Sequence, residues 1–310
     1  MKALLLEQAG GVENMILKDI EKPTPKENEV LLEVKAISIN PVDYKVRSIE
    51  DVITMIHGEQ RPVIIGWDVS GIIVAKGEKV TKFDVGDNVF GMVNFPGNGN
   101  AYAEYVSSPE DHLARIPENI PFEEAAATTL AALTALQVFK GRIKKNDRVL
   151  IHAGAGGVGH FAIQIAKQLG AYVLATSSEK NKEFVLSLGA DEHIDYRKQP
   201  FEAVVKDIDF VLDGMGGEVL ENSLKVMKSG GTIVSLPTPA SDEIQEEAKK
   251  LNVSVEFVLV QSNGEDMHRL KEMLKNRTLK AHVSKTFPFS DMGKAHTELE
   301  TGRTVGKIVV

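Results

Sequence analysis

A glycine-rich turn between an apolar strand and an apolar helix constrains the fold of this chain more than any other feature. Residues 147–152 predict a buried strand, and Gly154, Gly156 and Gly159 follow it. Apolar residues then recur up to Leu169 at the i, i+3, i+4 spacing of a buried helix face. Gly154 is expected to permit the tight turn, Gly156 to let the backbone approach a ligand, and Gly159 to let helix and strand pack closely. The pattern therefore predicts a β-α-β unit of a parallel sheet.

The same turn predicts a phosphate-binding site. Free N–H groups at a helix start, with the helix dipole behind them, attract anions. This glycine spacing between a strand and a helix is typical of dinucleotide binding, and a turn without any ligand is the alternative interpretation. The residues expected to surround the pyrophosphate are Gly154, Ala155, Gly156, Gly157, Val158 and Gly159.

The next predicted strand, residues 172–176, indicates which dinucleotide binds. An NAD enzyme usually has an acidic residue at the end of this strand, ~20 residues beyond the turn, to hold the ribose hydroxyls. Here Ser177 and Ser178 end the strand, and Lys180 follows shortly. Hydroxyl groups and an ammonium favour a 2′-phosphate, so NADPH is the predicted cofactor. Glu179 leaves an NAD alternative open, because a shift of one residue would direct its carboxylate at the ribose.

Two patterns along the 310 residues predict two domains. Short apolar runs separated by Gly, Pro and Asp turns predict that the first 120 residues are all-β. Residues 122–140 predict an Ala-rich helix, and the alternation of strands and helices beyond it predicts a doubly wound parallel sheet. Residues 253–260 predict the last strand of that sheet, with an apolar edge that a second copy would cover in a homodimer. The predicted bounds are 1–121, 122–262 and a C-terminal return to the first domain over 263–310.

Composition argues against several other classes of protein. The formal charge of -8 and the lack of a basic stripe argue against nucleic-acid binding. No window supplies the roughly 18 consecutive apolar residues of a membrane span, and the start of the chain turns polar too soon for a signal peptide, so the expected compartment is the cytoplasm. The chain has no cysteine, and its eight histidines lack HxH or HExxH spacing, so no metal site is predicted.

Short segments along the whole chain, in order, resemble the signatures of zinc-free medium-chain dehydrogenases/reductases of the quinone and enone oxidoreductase type. The segments are NPVDYK at 40–45, GWDVSG at 66–71, GDNVFG at 86–91, AYAEY at 101–105, the helix 125–135, SEK at 178–180, LGAD at 188–191, IDY at 194–196, residues 213–217, GG at 230–231 and GKIV at 306–309. One departure is Thr129, which stands where the family usually has proline. Each segment alone is moderately specific, and the ordered set is highly specific.

The resemblance implies an α/β protein with a GroES-like β domain plus a Rossmann doubly wound parallel-sheet domain, and an active site between them. It implies that Ser178, Lys180 and Tyr196 surround the 2′-phosphate, and that Asn40 and Thr134 lie near the nicotinamide. Relatives that depend on zinc bind it through cysteines, so the resemblance implies metal-free hydride transfer from NADPH to a small-molecule quinone or enone.

The segment that follows Asn40 supplies the candidate catalytic residues. A conjugated carbonyl already spreads the incoming charge, so the protein must position the substrate and stabilise the developing oxygen. Asn40 is expected to donate to an oxygen or to the cofactor ribose, and Tyr44 or Lys45 to the substrate oxygen. Packing is the alternative role for Tyr44, and capping of the following turn is the alternative for Asp43.

Four other polar residues are expected to be structural. Asp68 and Glu104 are expected to hold loops through backbone hydrogen bonds. His152 and His160 are expected at a strand end or a helix surface rather than in catalysis. Two functional alternatives also stay open: an NADPH-binding protein with a sensor or structural role and little turnover, or a module of a larger complex.

Overall fold

The computed structural model describes all 310 residues, and the chain forms two compact units. The first consists of Met1–Leu133 together with Val260–Val310, and the second of Thr134–Leu259. The strands are β1 Lys2–Leu6, β2 Met15–Asp19, β3 Glu29–Ile39, β4 Asp68–Lys76, β5 Asn88–Met92, β6 Tyr105–Pro109, β7 Leu113–Arg115, β8 Arg148–Ile151, β9 Tyr172–Ser177, β10 Glu192–Asp195, β11 Ile208–Asp213, β12 Met227–Ser235, β13 Ser254–Phe257, β14 Val283–Thr286 and β15 Lys307–Val309. The α-helices are α1 Pro41–Ser48, α2 Glu50–His57, α3 Phe122–Ala127, α4 Leu130–Phe139, α5 Gly159–Gln168, α6 Lys182–Ser187, α7 Glu218–Leu224, α8 Asp242–Lys250, α9 Gly264–Lys275 and α10 Met292–Glu300.

The first unit is built on a seven-stranded sheet. Its order is β14-β15-β3-β4-β5-β7, with β6 paired to β3, and β1 and β2 form a separate two-stranded sheet. All its pairings are antiparallel except that of β14 with β15. The side chains of Trp67, Phe90 and Tyr102 are fully buried in this unit. The last strand of the chain, β15, pairs with β3, so the C-terminal tail belongs to the same sheet as residues from the first part of the chain.

Helices interrupt the region that was predicted to be all-β, so that prediction was wrong in this detail. α1 and α2 follow β3 directly within this region. Ile53 is fully buried in α2. A helix of two turns contains too few apolar positions for its period to stand out in the sequence.

The predicted helix over residues 122–140 is two helices, α3 and α4. The chain leaves the helical conformation at Thr128, which has φ -98° and ψ 53°. Ala126 and Ala127 of α3 pack against Ala36 of β3 and Val309 of β15. α3 therefore belongs to the core of the first unit.

The second unit confirms the predicted doubly wound parallel sheet. Its six strands have the order β10-β9-β8-β11-β12-β13, and every neighbouring pair is parallel. The order reverses direction between β8 and β11, and ligands of such sheets bind where the carboxyl ends of the strands meet this reversal. The glycine-rich turn leaves the carboxyl end of β8. None of the helices in either unit has the length and apolarity that a membrane span requires.

Candidate functional site

The glycine-rich turn joins β8 to α5, and the residue of the turn that has a left-handed backbone conformation is not a glycine. Ala153 has a φ of +51°, in the left-handed region, where we predicted that Gly154 would make the tight turn. A Cβ on Gly154 would lie 2.9 Å from the Cβ of Ala175 and 3.3 Å from Cδ1 of Ile163. Gly154 is therefore needed because β9 and α5 leave no room for a side chain at this position. The prediction that it makes the tight turn was wrong.

Gly159 has the predicted role. A Cβ at this position would lie 2.3 Å from the carbonyl oxygen of Ala153 and 2.8 Å from Cα of Gly154. No side chain fits at so short a distance from backbone atoms, so only glycine allows α5 to begin this close to the turn.

The amide groups of the turn form a donor set for an anion. The N–H groups of Ala155, Gly157 and Val158 have no acceptor within the protein, whereas that of Gly156 donates to Ala153. A Cβ on Gly156 would meet only Ala153, with 3.2 Å to its carbonyl oxygen, so the other side of this residue is open. The amino terminus of α5 adds the positive end of its dipole. This cradle fits a pyrophosphate.

Two neighbouring strand ends bring the predicted 2′-phosphate residues together. β9 and β10 are parallel, and Ser177 at the end of β9 lies beside Asp195 at the end of β10. Ser178 and Lys180 follow the first strand and Tyr196 follows the second, so all three leave the sheet at the same edge. Lys180 is exposed and has no partner, which leaves its ammonium available to a ligand. The hydroxyl of Ser177 is hydrogen-bonded to Nε2 of His193 at 2.9 Å, so it is the less available of the two serines.

Arg197, which was not among the residues predicted from the sequence, is a further cation at this edge. The guanidinium of Arg197 lies 5.6 Å from the ring centre of Tyr196, whose side chain is 54% exposed. Its position next to Tyr196 in the sequence was the available signal. Glu179, which supported the NAD alternative, accepts a hydrogen bond from Lys198 at 2.9 Å, and this bond lowers the pKa of the Glu179 carboxyl. The carboxylate is thus paired with a cation at the surface.

The candidate catalytic residues differ in what their polar ends contact. Tyr44 is half-buried and Lys45 is exposed, and neither side chain has a hydrogen-bond or ion-pair partner in the protein. Asn40 is only 2% exposed. Its Nδ2 donates to Asp68 at 2.7 Å, and its Oδ1 accepts from Nζ of Lys307. Both ends of the Asn40 amide are therefore occupied by protein groups.

Asp43 and Asp68 have the structural roles that the sequence suggested. Asp43 accepts from the backbone N–H of Asn40 at 2.5 Å, so the two residues form a capping box at the start of α1. Asp68 accepts from the backbone N–H of Leu130 at 3.0 Å. The loop-holding role of Glu104 is also confirmed, because it accepts from the backbone N–H of Lys2 at 2.7 Å.

Lys307 is a buried cation whose charge acts on both of these carboxyl groups, and it was not identified from the sequence. It is 3% exposed, and besides Asn40 it donates to the carbonyl oxygen of Ile39 at 2.9 Å. Burial raises the pKa of Asp43 to about 8; Asp68 adds to that rise, and the Asn40 N–H and Lys307 oppose it. The available signal was a lysine at the start of an apolar C-terminal strand, where a charge needs a buried partner.

Three other predicted residues lie in or beside the second unit. Thr134 is in α4 and 5% exposed. His152 follows β8, and its two ring nitrogens contact the hydroxyls of Thr176 at 3.2 Å and Ser223 at 3.0 Å. Burial lowers the pKa of His152 to about 4. His160 is fully buried, with Nδ1 2.9 Å from the carbonyl oxygen of Gly156, so the prediction of a helix-surface position was wrong for this residue.

Known proteins resemble this chain over its whole length. Residues 26–118 match the alcohol dehydrogenase GroES-like domain, and residues 188–310 match the zinc-binding dehydrogenase domain. The 2-methylene-furan-3-one reductase of Solanum lycopersicum is 35% identical over 321 residues, covering 100% of this chain and 79% of the relative. The chloroplastic NADPH-dependent alkenal/one oxidoreductase of Arabidopsis thaliana is 34% identical with the same coverage. The structure of the quinone oxidoreductase from Coxiella burnetii superposes with a TM-score of 0.93 at 38% identity, covering 100% of this chain and 98% of that one.

Proposed function

The chain belongs to the quinone and enone oxidoreductases of the medium-chain dehydrogenase/reductase family, and on this basis we propose that it reduces a quinone or an activated alkene with NADPH. The observation that carries the proposal is the donor set of the second unit. Three open amides precede α5, and an unpaired Lys180 stands with Tyr196 and Arg197 at the neighbouring strand ends. Bound there, NADPH supplies the hydride.

Preference for NADPH over NADH follows from the charges at the edge formed by β9 and β10. A 2′-phosphate needs cations and hydroxyl donors, and Lys180, Arg197 and Ser178 supply them. Glu179 would repel that phosphate, but its charge is compensated by Lys198 at 2.9 Å. We therefore propose that Glu179 does not make the protein prefer NADH.

Tyr44 and Lys45 are the proposed donors to the substrate oxygen. Hydride addition to a conjugated carbonyl places negative charge on that oxygen, and a fixed donor stabilises it. The polar ends of Tyr44 and Lys45 are both unpaired in the protein, so neither must break a bond to act. Proton delivery to the product carbon or oxygen is assigned to water.

Asn40 is proposed to act at the same site indirectly, as the residue at the start of α1. The direct role predicted for it, donation to an oxygen or to the ribose, requires that its Nδ2 leave Asp68. We propose that its larger contribution is to fix the start of α1, from which Tyr44 and Lys45 extend. Thr134, on α4, remains a proposed contact of the nicotinamide.

A homodimer is the proposed assembly. β13 is the edge strand of the parallel sheet, and Phe257 and Leu259 at its end are 42% and 49% exposed. An unpaired strand edge with apolar neighbours is stabilised by pairing with a second copy. Light scattering is expected to give twice the 33.8 kDa of the chain, and a single 33.8 kDa species at micromolar concentration would contradict the proposal.

Stopped-flow measurement of NADPH oxidation tests the function itself. The acceptors are an enone, an enal and a quinone, with the matched saturated ketone as control. Rapid oxidation is expected with at least one conjugated acceptor and none with the ketone, and prior dialysis against a strong chelator is expected to leave the rate unchanged. Tight NADPH binding without oxidation by any acceptor would favour the sensor or structural role instead.

A further inference from the structure

Two buried ionisable side chains, one acidic and one basic, lie one turn apart on the same face of α1. Asp43 is fully buried and Arg47 is 3% exposed, at positions i and i+4. Such a pair normally bonds directly across the helix surface. Here two side chains from distant parts of the chain stand between them: Tyr102, in the loop before β6, and His296, in α10.

The donors and acceptors fix the direction of this chain of contacts. Nη1 of Arg47 lies 3.4 Å from Nδ1 of His296, and an arginine can only donate, so Nδ1 accepts and the ring proton is on Nε2. Nε2 lies 2.8 Å from the hydroxyl oxygen of Tyr102 and therefore donates to it. Burial and the charge of Arg47 lower the pKa of His296 to about 3, which agrees with a neutral ring.

The hydroxyl hydrogen of Tyr102 is then left for Asp43. Oδ1 of Asp43 is buried and has no hydrogen-bond partner, whereas Oδ2 caps the start of α1. Tyr102 lowers the pKa of the Asp43 carboxyl, so its hydroxyl acts on this unpartnered end of the carboxyl. Hydrogen bonds thus link Arg47, His296 and Tyr102, and the Tyr102 hydroxyl acts on the unpartnered oxygen of Asp43; these four residues are here called the α1 clamp.

The outer end of the α1 clamp is anchored as well. Nε of Arg47 donates to the carbonyl oxygen of Gly10 at 3.1 Å, and Nη2 donates to Glu300 at 2.5 Å. The rings of Tyr102 and His296 pack edge to face, with centres 5.6 Å apart at 84°. Every link of the clamp is therefore restrained by a second contact.

We propose that Tyr102 and His296 are positioning residues for the reaction, because they hold α1 in the orientation that directs Tyr44 and Lys45 at the substrate. This rests on the proposed function, which gives those two residues their role. Tyr44 and Lys45 directly follow Asp43, and their exposure places them off the buried face that Asp43 and Arg47 share. A shift of about 1 Å in a donor is enough to lower a rate by up to ~100-fold.

Two variants that remove polar atoms and keep an apolar side chain separate this positioning role from packing. Tyr102→Phe removes one hydroxyl and keeps the ring, and His296→Leu removes both ring nitrogens. For each, kcat with a saturating conjugated acceptor is expected to fall about tenfold, with the acceptor KM and the NADPH Kd changing less than about twofold. His296→Gln is the conservative control, because its side-chain amide retains a donor toward Tyr102, and it is expected to recover most of kcat.

Amide hydrogen exchange, read by mass spectrometry, tests the same clamp without turnover. Faster exchange is expected in Tyr102→Phe over residues 40–48, with unchanged exchange over residues 149–169. Wild-type kcat and exchange in both Tyr102→Phe and His296→Leu would overturn the proposal. So would a fall in kcat accompanied by faster exchange throughout Met1–Leu133, since this would indicate general loss of packing. If the unmodified protein reduces no acceptor, the proposed function fails, and the exchange measurement still decides whether the clamp holds α1.

Discussion

The phosphate cradle and the polar cluster around α1 are built in opposite ways. The cradle uses backbone amides of Ala155, Gly157 and Val158, which lie within four consecutive residues. The cluster uses side chains that lie as far apart in the chain as Asn40 and Lys307. A binding site built from backbone amides requires residues with small side chains or none, so that a ligand can approach the backbone. A site built from side chains requires that each buried polar or charged group has a partner. The two regions should therefore respond differently to substitution.

The largest effect is expected where a buried charge loses its partner. Lys307→Met would leave Asp43 and Asp68 without their buried cation, and breaking such a set typically costs about 3–5 kcal/mol in the free energy of unfolding. Urea denaturation measures this. The control is Lys285→Met on neighbouring β14, which breaks a half-exposed ion pair with Glu298 of α10. It is expected to lower the free energy of unfolding by less than about 1 kcal/mol. Equal losses in the two variants would contradict the assigned role of Lys307.

Loss of one cation at the strand ends of the second unit is expected to act on binding alone. Lys180→Ala should weaken NADPH binding about ten- to a hundredfold, because charge-assisted hydrogen bonds contribute roughly 1.5–3 kcal/mol, and NADH binding should be nearly unchanged. Fluorescence titration with both cofactors measures this, with exposed Lys206→Ala as the control. If the unmodified protein binds NADPH and NADH equally, the 2′-phosphate assignment is wrong and Glu179 becomes the candidate selector.

Two alanine substitutions in the cradle distinguish a glycine that is required for packing from a glycine that is expected to contact the ligand. Gly159→Ala forces a Cβ to within 2.3 Å of a backbone oxygen, and such overpacking typically costs about 1–3 kcal/mol of stability. Gly156→Ala meets only Ala153, at 3.2 Å, so stability should change little while NADPH affinity falls. Denaturation and NADPH titration of the pair are the measurements. Unchanged NADPH affinity in Gly156→Ala would show that the pyrophosphate does not approach this residue.

The expected effect that is smallest at neutral pH is the contribution of His152 to the pH dependence of stability. In the unfolded chain this histidine takes up a proton near pH 6.5, whereas in the folded protein it does so only near pH 4. Through this group the unfolded state binds up to one more proton in this window, so His152 by itself lowers the free energy of unfolding by up to about 1.4 kcal/mol for each pH unit that the pH falls. His152→Asn is expected to make the slope between pH 6.5 and 4 shallower by this contribution, and exposed His268→Asn is expected to keep the contribution of His152. Identical slopes in the two variants would contradict the account.

These contrasts explain how much the sequence could predict. The cradle, the parallel sheet and the serine-lysine end of β9 depend on residues adjacent in the chain or on a repeating period, so the sequence revealed them. The exception within the cradle is Ala153, because any residue type can be forced to a positive φ when the surrounding turn requires it.

The cluster around α1 could be predicted only in part. The capping role of Asp43 is local and was accessible from its spacing to Asn40. The partners Tyr102, His296 and Lys307 come from residues 59 to 264 positions beyond Asp43, and no local pattern identifies such pairings. The occupied amide of Asn40 was missed for the same reason, because both of its partners are distant in sequence.

Isotope transfer tests the central claim most directly. NADPH that carries deuterium at the transferred position of the nicotinamide is incubated with an enone in ordinary water, and the product is analysed by NMR and mass spectrometry. Direct hydride transfer predicts one deuterium on the formerly electron-poor carbon of the product. Deuterium found only in the solvent, with none on that carbon, would contradict the account.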